Sequence, residues 1–404
     1  MKKALCFVLA IAIMLPFLVF GNMCKAKTED VDDLEIQSPS YVLIEKNTGK
    51  ILCEKNKDIE KMPASITKIM SLILIFEALD QKKITLQDQV TVSEYAASMG
   101  GSQVYLESGE VQTVEDLIKC IVIASANDAC VAMAEYVDGS EQAFVKNMNR
   151  KAKELGMKHT FFSNCCGLDD TLSEEKHHSS AYDIALMSRE LLFKHEDVKK
   201  YTTVWMDSII HRTKKGEKEF GLSNTNKLIR TYNGITGLKT GSTSKAKFCL
   251  SASAEREGME LIAVVMSAPT PKDRFFDAAK LLDYGFANCQ CYEDETVIKK
   301  NTYMEVSKGK TDSVEVVPKE AFRYVCEKNE KKEDIKKKVI WNASIIAPVK
   351  QGQEIGCVVY YCKDREIGQV PLVAKTEVKR AMYKDCFYKE LKQFFVMESS
   401  ETLK

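Results

Sequence analysis

Three short motifs in this chain carry the residue types that a serine needs for acyl transfer. In chain order they are Ser65-Ile66-Thr67-Lys68, Ser125-Ala126-Asn127 and Lys239-Thr240-Gly241. Together they supply a hydroxyl nucleophile with an amine three residues away, a second hydroxyl beside an amide, and a cation next to a glycine. A serine hydroxyl is a weak nucleophile until a base accepts its proton. The set therefore indicates a serine enzyme whose base is a lysine rather than a histidine.

The surroundings of Ser65 favour it as the nucleophile, because the pattern Ser-x-x-Lys is weak by itself. The pattern occurs five times, beginning at Ser65, Ser173, Ser242, Ser244 and Ser307. Only Ser65 follows a proline and opens a long apolar run, which predicts a buried helix. Residues three apart on a helix share a face, so Ser65 and Lys68 are expected to meet. An ordinary N-cap serine would show the same local pattern.

The second motif is expected to lie between two helices. Thr113 resembles a helix cap that leads into an apolar segment at 117–122, and a helical pattern resumes over 128–136. Further helices are predicted over about 140–155 and from Ser179 or Ser180 to about 192. Ser125 and Asn127 would therefore project from a connection into a cleft.

Strand patterns lie before and after these helices. They predict a hairpin at 41–45 and 51–54, strands at 235–240, 248–254 and 260–266, and a closing helix at 272–286. Lys239 would then lie at the end of a strand, before a turn at 241–244. Strands from the beginning and the end of this region would therefore pair in one sheet, with the helices between them in sequence. This arrangement predicts an α+β fold, with an antiparallel sheet flanked by helices.

Length and charge limit the number of domains and the kinds of partner that we expect. The chain has 404 residues, which favours two domains, and its zero formal charge argues against a nucleic-acid partner. We predict a main domain over 34–288 and a small β-rich domain over 291–378, with strands at 297–306, 313–317, 339–346, 356–361 and 367–373. The lysine-rich run 328–338 is interpreted as a solvated loop, with contact to an anionic polymer as the alternative.

The N-terminal segment has the pattern of an export signal, and the C-terminal segment has that of an amphipathic helix. Residues 1–26 combine Lys2 and Lys3 with an apolar run, as in a secretory signal cleaved after Ala26, and an uncleaved anchor is the alternative. The segment 380–397 has the spacing of an amphipathic helix, which would contact either a membrane surface or the second domain. The fourteen cysteines follow no disulfide or zinc pattern, so we expect most of them to be buried as small apolar residues.

The sequence around the motifs resembles the serine D-alanyl-D-alanine carboxypeptidases, which are low-molecular-weight penicillin-binding proteins. The similar stretches are Gly100-Gly101-Ser102-Gln103, Gly109-Glu110, Ser125-Ala126-Asn127-Asp128-Ala129, Lys153-Glu154-Leu155-Gly156-Met157, Gly167-Leu168-Asp169-Asp170 and Asn224-Thr225-Asn226-Lys227-Leu228. The resemblance is close over about 34–288 and looser beyond it. The central residue of the second motif is often glycine in that family and is Ala126 here, while the flanking hydroxyl and amide are retained.

This resemblance implies a β-lactamase/transpeptidase-like fold followed by a second domain and a membrane tether. It also implies a peptidoglycan stem peptide as substrate, β-lactams as covalent inhibitors, and a location at the outer face of the cytoplasmic membrane. No metal or cofactor is required for the chemistry that the motifs permit.

In that chemistry Ser65 attacks the carbonyl of a terminal D-Ala-D-Ala peptide bond, and Lys68 accepts its proton as general base. Burial and a nearby cation favour the neutral form of a lysine, and Lys239 is the expected cation. Ser125 relays the proton to the leaving amine, and Asn127 holds Lys68 and the substrate backbone.

The third motif is expected to bind the substrate. Lys239 and Thr240 would hold its terminal carboxylate, and Gly241 would let its backbone approach the strand. By resemblance, the oxyanion hole consists of the backbone N–H groups of Ser65 and Ser242.

Other functions are compatible with the same fold. A class A β-lactamase would add a glutamate for deacylation, but no Glu-x-x-Leu-Asn stretch follows the second motif. A catalytically silent wall-binding protein would not need intact Ser65, Lys68, Ser125 and Lys239. A DD-endopeptidase or transpeptidase stays open, because the motifs do not specify which acceptor attacks the acyl-enzyme.

Overall fold

The computed structural model describes residues 34–169, 177–213, 216–327, 329–342 and 344–387. The segment at 1–26 that we interpret as a secretory signal lies outside these residues. So do positions 388–397 of the expected C-terminal helix.

Within these ranges the strands form two five-stranded antiparallel sheets and three two-stranded ones. In chain order they are β1 (Ser40–Glu45), β2 (Ile51–Lys55), β3 (Gln89–Thr91), β4 (Val111–Thr113), β5 (Met206–Thr213), β6 (Gly216–Ser223), β7 (Ile235–Thr243), β8 (Lys247–Arg256), β9 (Met259–Ala268), β10 (Cys289–Asp294), β11 (Thr302–Glu305), β12 (Ser313–Pro318), β13 (Phe322–Glu327), β14 (Ile335–Trp341), β15 (Glu354–Cys362) and β16 (Arg365–Ala374).

The main sheet is closed by segments from both ends of the first domain, as predicted. Its strand order is β2-β1-β9-β8-β7. The register of β1 and β9 runs from Ser40 opposite Met266 to Glu45 opposite Leu261. Almost every residue of β9 is buried, which its continuous apolar sequence requires, because helices cover the sheet.

Within the described residues, most helices lie between β2 and β5 in sequence, one lies between β6 and β7, and one follows β9. In chain order they are α1 (Lys68–Asp80), α2 (Glu94–Ala97), α3 (Val114–Lys119), α4 (Asn127–Asp138), α5 (Glu141–Glu154), α6 (Ala181–Lys194), α7 (Lys199–Thr202), α8 (Leu228–Thr231) and α9 (Asp273–Asn288). The side chains of Thr113, Ser140 and Ser180 accept hydrogen bonds from the first turns of α3, α5 and α6. These caps confirm the predicted helix starts.

Two features of the first domain differ from the prediction. Lys239 is not at a strand end, because β7 continues to Thr243 and the turn follows it. The hairpin of β5 and β6 was not predicted, since its strands carry many charged residues and little apolar alternation.

The second five-stranded sheet has the order β11-β12-β16-β15-β14 and its own apolar core, which confirms a β-rich region after the first domain. The expected loop at 328–338 is wrong over its last part, because Ile335 begins β14. β14 is the edge of the sheet, and lysines on an edge strand discourage pairing with other chains. The pair of β10 and β13 was also not predicted.

The cysteines behave largely as expected. Of the twelve in the described part of the chain, nine are buried, and all twelve are free thiols. The core therefore uses them as small apolar side chains.

Candidate active site

The predicted nucleophile lies on a short 3-10 turn, Ala64–Thr67, that leads directly into α1. Lys68 is the first residue of α1, so the two residues are one turn apart, as their spacing predicts. The Nζ of Lys68 lies 3.0 Å from the Oγ of Ser65. Lys68 is fully buried, whereas Ser65 is half-buried. A partly accessible hydroxyl therefore contacts an amine that is shielded from water.

Two further acceptors hold the amine of Lys68. Its Nζ donates to Asn127 Oδ1 at 2.6 Å and to the backbone carbonyl of Cys166 at 2.9 Å. Gly167 lets the segment that contains Cys166 lie close to the turn that carries Ser65, because a Cβ on Gly167 would lie 1.9 Å from the carbonyl oxygen of Ala64. Sequence reasoning missed Cys166, since a backbone carbonyl can come from any residue. The neighbouring Gly167 was the available signal.

His177 contacts the 3-10 turn that carries Ser65, which we call the nucleophile turn. Its Nε2 lies 2.8 Å from Thr67 Oγ1, and its Nδ1 accepts a hydrogen bond of 3.1 Å from the backbone N–H of Ser163. Because Nδ1 accepts, the neutral ring carries its proton on Nε2 and donates to Thr67. Burial lowers the pKa of His177 to about 3. The sequence did not single out this residue.

The second motif follows an irregular helix end. α3 continues as a π-helical turn, Cys120–Ala124, and Ser125 then adopts a φ of 61° in the left-handed region. Such turns are frequent at functional sites. The backbone N–H of Asn127 donates to the carbonyl of Ser102 at 2.7 Å, and its Nδ2 donates to that of Gly100 at 2.6 Å. The loop at 100–102 therefore fixes the amide that holds Lys68.

Lys239 connects the third motif to the second. Its Nζ donates to Ser125 Oγ at 2.7 Å and to the carbonyl of Thr240 at 3.2 Å. Lys239 is 1% exposed. Burial, with the charges of Lys68 and Arg274, holds the pKa of its amine well below the usual range.

Gly241 lets the third motif reach the nucleophile turn. A Cβ at this position would lie 2.5 Å from the carbonyl oxygen of Pro63 and 3.1 Å from the backbone nitrogen of Ile66. β7 is an edge strand, so its open side is available to the turn and to a ligand. We expected Gly241 to admit the substrate backbone. That expectation stays a prediction, and the structure adds a second role, because the missing side chain of Gly241 admits the turn that carries Ser65.

Two residues at this end of the cleft were missed. The guanidinium of Arg274 donates to the carbonyl of Gly241 at 3.1 Å, and the hydroxyl of Thr225 lies 2.7 Å from that of Thr240. Arg274 lies near the start of α9 outside any motif, and Thr225 belongs to a stretch that resembles the family but was given no role. Ser242, which follows Gly241 on β7, is exposed. A cation and several hydroxyls therefore gather where an anion could bind.

The site contains two hydroxyl–amine pairs, Ser65 with Lys68 and Ser125 with Lys239. Asn127 contacts the first pair, and the other predicted binding residues follow Lys239 on β7. A buried amine can accept the proton of an adjacent hydroxyl and return it to a leaving group. The fold and these pairs define a serine acyl-transfer enzyme in which a lysine contacts the nucleophile.

Comparison with protein families makes the assignment more specific. A family model described as D-alanyl-D-alanine carboxypeptidase (peptidase S11) matches residues 25–270. A model described as penicillin-binding protein 5, C-terminal domain, matches residues 292–380. The chain belongs to the D-alanyl-D-alanine carboxypeptidase family.

Curated relatives match nearly the full length of the chain. It is 44% identical over 382 residues to D-alanyl-D-alanine carboxypeptidase DacF of Bacillus subtilis (strain 168). This alignment covers 94% of this chain and 95% of that protein. It is 32% identical over 376 residues to D-alanyl-D-alanine carboxypeptidase DacC of Escherichia coli (strain K12), with 89% of each covered.

Solved structures give the same result for the fold. Penicillin-binding protein 5 from Haemophilus influenzae superposes with a TM-score of 0.74 at 31% identity, covering 86% of this chain and 98% of that one. Penicillin-binding protein 6B from Escherichia coli gives a TM-score of 0.67 at 32% identity, covering 84% and 96%. These likenesses confirm the predicted fold class and the predicted family.

Proposed function

We propose that this protein is a serine D-alanyl-D-alanine carboxypeptidase that removes the terminal D-alanine from peptidoglycan pentapeptide stems. The observation that carries the proposal is the 3.0 Å contact between Ser65 Oγ and the buried Nζ of Lys68. In its neutral form the Lys68 amine takes the hydroxyl proton while Ser65 attacks the peptide carbonyl. The products of this step are an acyl-enzyme ester and, once its nitrogen is protonated, free D-alanine.

The leaving amine receives its proton through the second pair. Ser125 Oγ accepts a hydrogen bond from Lys239, so its own hydroxyl proton is free to pass to the leaving nitrogen, and Lys239 can replace it. Asn127 keeps the amine of Lys68 in place during both transfers. The Lys68 ammonium then loses the proton that it took from Ser65, and Lys239 regains the one that it gave up, so both amines return to their starting states. Neutral Lys68 then takes a proton from the water that hydrolyses the ester.

Substrate binding uses the open side of β7. Lys239 and the hydroxyl of Thr240 bind the terminal carboxylate, and Arg274 adds positive charge nearby. The backbone N–H groups of Ser65 and Ser242 stabilise the oxyanion. Each such donor contributes about 3–4 kcal/mol in comparable enzymes.

Penicillin labelling tests the nucleophile. The purified protein should react covalently with a fluorescent penicillin at Ser65, and Ser65→Ala should abolish the label while the thermal unfolding curve is retained. Ser307→Ala is the matched control, because Ser307 also begins a Ser-x-x-Lys sequence but is exposed in the second domain. Labelling that persists in Ser65→Ala would show that the nucleophile is misassigned.

Product analysis distinguishes the alternatives. A carboxypeptidase releases D-alanine from a pentapeptide and turns over a chromogenic β-lactam slowly, whereas a β-lactamase does the reverse. An endopeptidase would cleave cross-linked dimers, and a transpeptidase would transfer the acyl group to an added amine. A silent wall-binding protein would take no label.

We further propose that the protein is exported and acts at the outer face of the cytoplasmic membrane. The secretory pattern at 1–26 supports export, and the exposed side chains of Met382 and Tyr383 support a membrane contact by the C-terminal segment. Within the described ranges, no helix has the length and apolar character needed to cross a bilayer. Cell fractionation tests the location, and recovery in the cytosol would contradict it.

A further inference from the structure

The amine of Lys68 has two hydrogen-bond acceptors besides the hydroxyl of the nucleophile. Its Nζ donates to Asn127 Oδ1 at 2.6 Å and to the backbone carbonyl of Cys166 at 2.9 Å, and it lies 3.0 Å from Ser65 Oγ. A neutral amine has two N–H bonds and one lone pair. When the two acceptors take both N–H bonds, the lone pair is left facing the hydroxyl of Ser65. The amine can accept the hydroxyl proton only in this orientation.

The carbonyl of Cys166 belongs to the peptide bond between Cys166 and Gly167, and Asn164 binds the other side of that bond. The Oδ1 atom of Asn164 accepts a hydrogen bond of 2.6 Å from the backbone N–H of Gly167. In a planar trans peptide the N–H and C=O groups point in opposite directions. One peptide therefore contacts Asn164 on one side and Lys68 on the other. A rotation of this peptide away from Asn164 would also turn its carbonyl away from the amine.

Buried side chains also fix the two preceding peptides. Asn164 Oδ1 accepts a second hydrogen bond, of 3.1 Å, from the backbone N–H of Cys166. The N–H of Cys165 donates to Glu141 Oε1 at 2.9 Å, and the carbonyl of Cys165 accepts a hydrogen bond of 2.5 Å from Ser71 Oγ. Asn164, Glu141 and Ser71 are all buried. Buried backbone groups are costly to leave unpaired, so these contacts leave the segment little freedom to rotate.

An asparagine that binds the backbone just after itself is common in turns, so these bonds alone give Asn164 no part in the reaction. Asn149 shows the contrast. Its side chain makes three hydrogen bonds to backbone groups of Val145 and Phe162, close to the same segment. The peptide that Asn164 holds is the one whose carbonyl binds Lys68. The difference between the two asparagines is therefore which backbone group each one orients.

We propose that Asn164 is a positioning residue for acylation, which orients the lone pair of Lys68 towards Ser65 by fixing the carbonyl of Cys166. The inference rests on the proposed function, since it takes Lys68 as the base. Among the described residues, the side chain of Asn164 bonds to residues 166–168. Because Asn164 acts through the carbonyl, its loss should slow the chemical step without weakening the binding of the substrate.

The test separates binding from chemistry in the full-length protein. Release of D-alanine from a pentapeptide gives kcat and KM, and labelling by a fluorescent penicillin gives the rate and the final labelled fraction. In Asn164→Ala, kcat and the labelling rate should fall about 10- to 100-fold, because a displaced base loses part of the roughly 100- to 10,000-fold that proton transfer contributes. KM should stay within about twofold, since Asn164 does not hold the substrate. The final labelled fraction should not change, whereas partial unfolding would lower it.

Three variants complete the comparison. Asn164→Asp keeps the oxygen that accepts both N–H bonds and should recover most of kcat. Asn149→Ala is the matched control, because it also removes three hydrogen bonds to the backbone near this segment, and its kcat should stay within about threefold of wild type. Should Asn164→Ala fail to fold, Asn164→Ser keeps a weaker turn to Cys166 but is too short to hold Gly167, so its kcat should also fall.

The inference is overturned if folded Asn164→Ala or Asn164→Ser keeps kcat within about threefold of wild type. It is also overturned if Asn149→Ala lowers kcat as much, or if Asn164→Ala raises KM and leaves kcat unchanged, because either result indicates a general disturbance of the site. A folded Asn164→Asp that recovers nothing counts against it in the same way. A wild-type protein that neither takes the label nor releases D-alanine would instead refute the proposed function.

Discussion

Gly241 offers a sharp test of how the site is assembled. Replacing Gly241 with alanine places a Cβ 2.5 Å from the carbonyl oxygen of Pro63, whereas ordinary contacts begin at about 3.4 Å. The neighbouring atom belongs to the backbone, so no flexible side chain can move aside. β7 and the nucleophile turn would therefore have to separate by about 0.9 Å.

The separation acts directly on the oxyanion hole. One proposed donor, the N–H of Ser65, is on the turn, and the other, that of Ser242, follows Gly241 on β7. A displacement near 1 Å typically costs about 100-fold in rate, and the loss of one such donor costs about 100- to 1,000-fold. We expect Gly241→Ala to lower the rate constant of acylation about 100-fold. Overpacking should also reduce the free energy of unfolding by about 1–3 kcal/mol.

The assay is the second-order rate constant of labelling by a fluorescent penicillin, measured alongside thermal unfolding. Gly221→Ala is the control, because a Cβ on Gly221 would meet nothing within 4 Å and its φ is not left-handed. If folded Gly241→Ala is acylated within about threefold of the wild-type rate, the close approach of β7 does not position the oxyanion hole.

Two further predictions concern stability. Burial lowers the pKa of His177 to about 3, whereas an unfolded histidine binds a proton near pH 6.5. The unfolded chain then takes up the proton first, so His177 should cost about 1.4 kcal/mol of stability per pH unit as the pH falls from 6.5 towards 3. Urea unfolding of His177→Gln between pH 7 and 5 should show a weaker pH dependence, and an equal slope would contradict this. Burial would raise the pKa of the Glu260 carboxyl, but hydrogen bonds from Lys199 and Lys46 hold it below its usual range. Glu260→Gln should cost about 3–5 kcal/mol in urea unfolding and the exposed Glu255→Gln under 1 kcal/mol, and equal losses would refute the reasoning.

Local patterns in the sequence were sufficient for much of the fold. The helix starts at Thr113, about Ser140 and Ser179 or Ser180 were predictable because a cap bonds to an amide three residues away, within the same short segment. The pairing of Ser65 with Lys68 was predictable for the same reason, since both lie on one turn. The β5–β6 hairpin was not, because its charged strands are stabilised by pairing and by contacts with distant residues.

Short motifs were enough to identify the residues that could perform the chemistry and the segments that carry them. How those segments meet depends on the packing of the whole first domain. Lys68 donates a hydrogen bond to Asn127 across 59 residues of sequence, and Lys239 donates one to Ser125 across 114 residues. The carbonyl of Cys166 that binds Lys68 is a backbone group that every residue carries, and the contact of Gly241 with Pro63 shows in the sequence only as one of nineteen glycines. Contacts between remote segments are set by how the whole chain packs, so no local pattern encodes them.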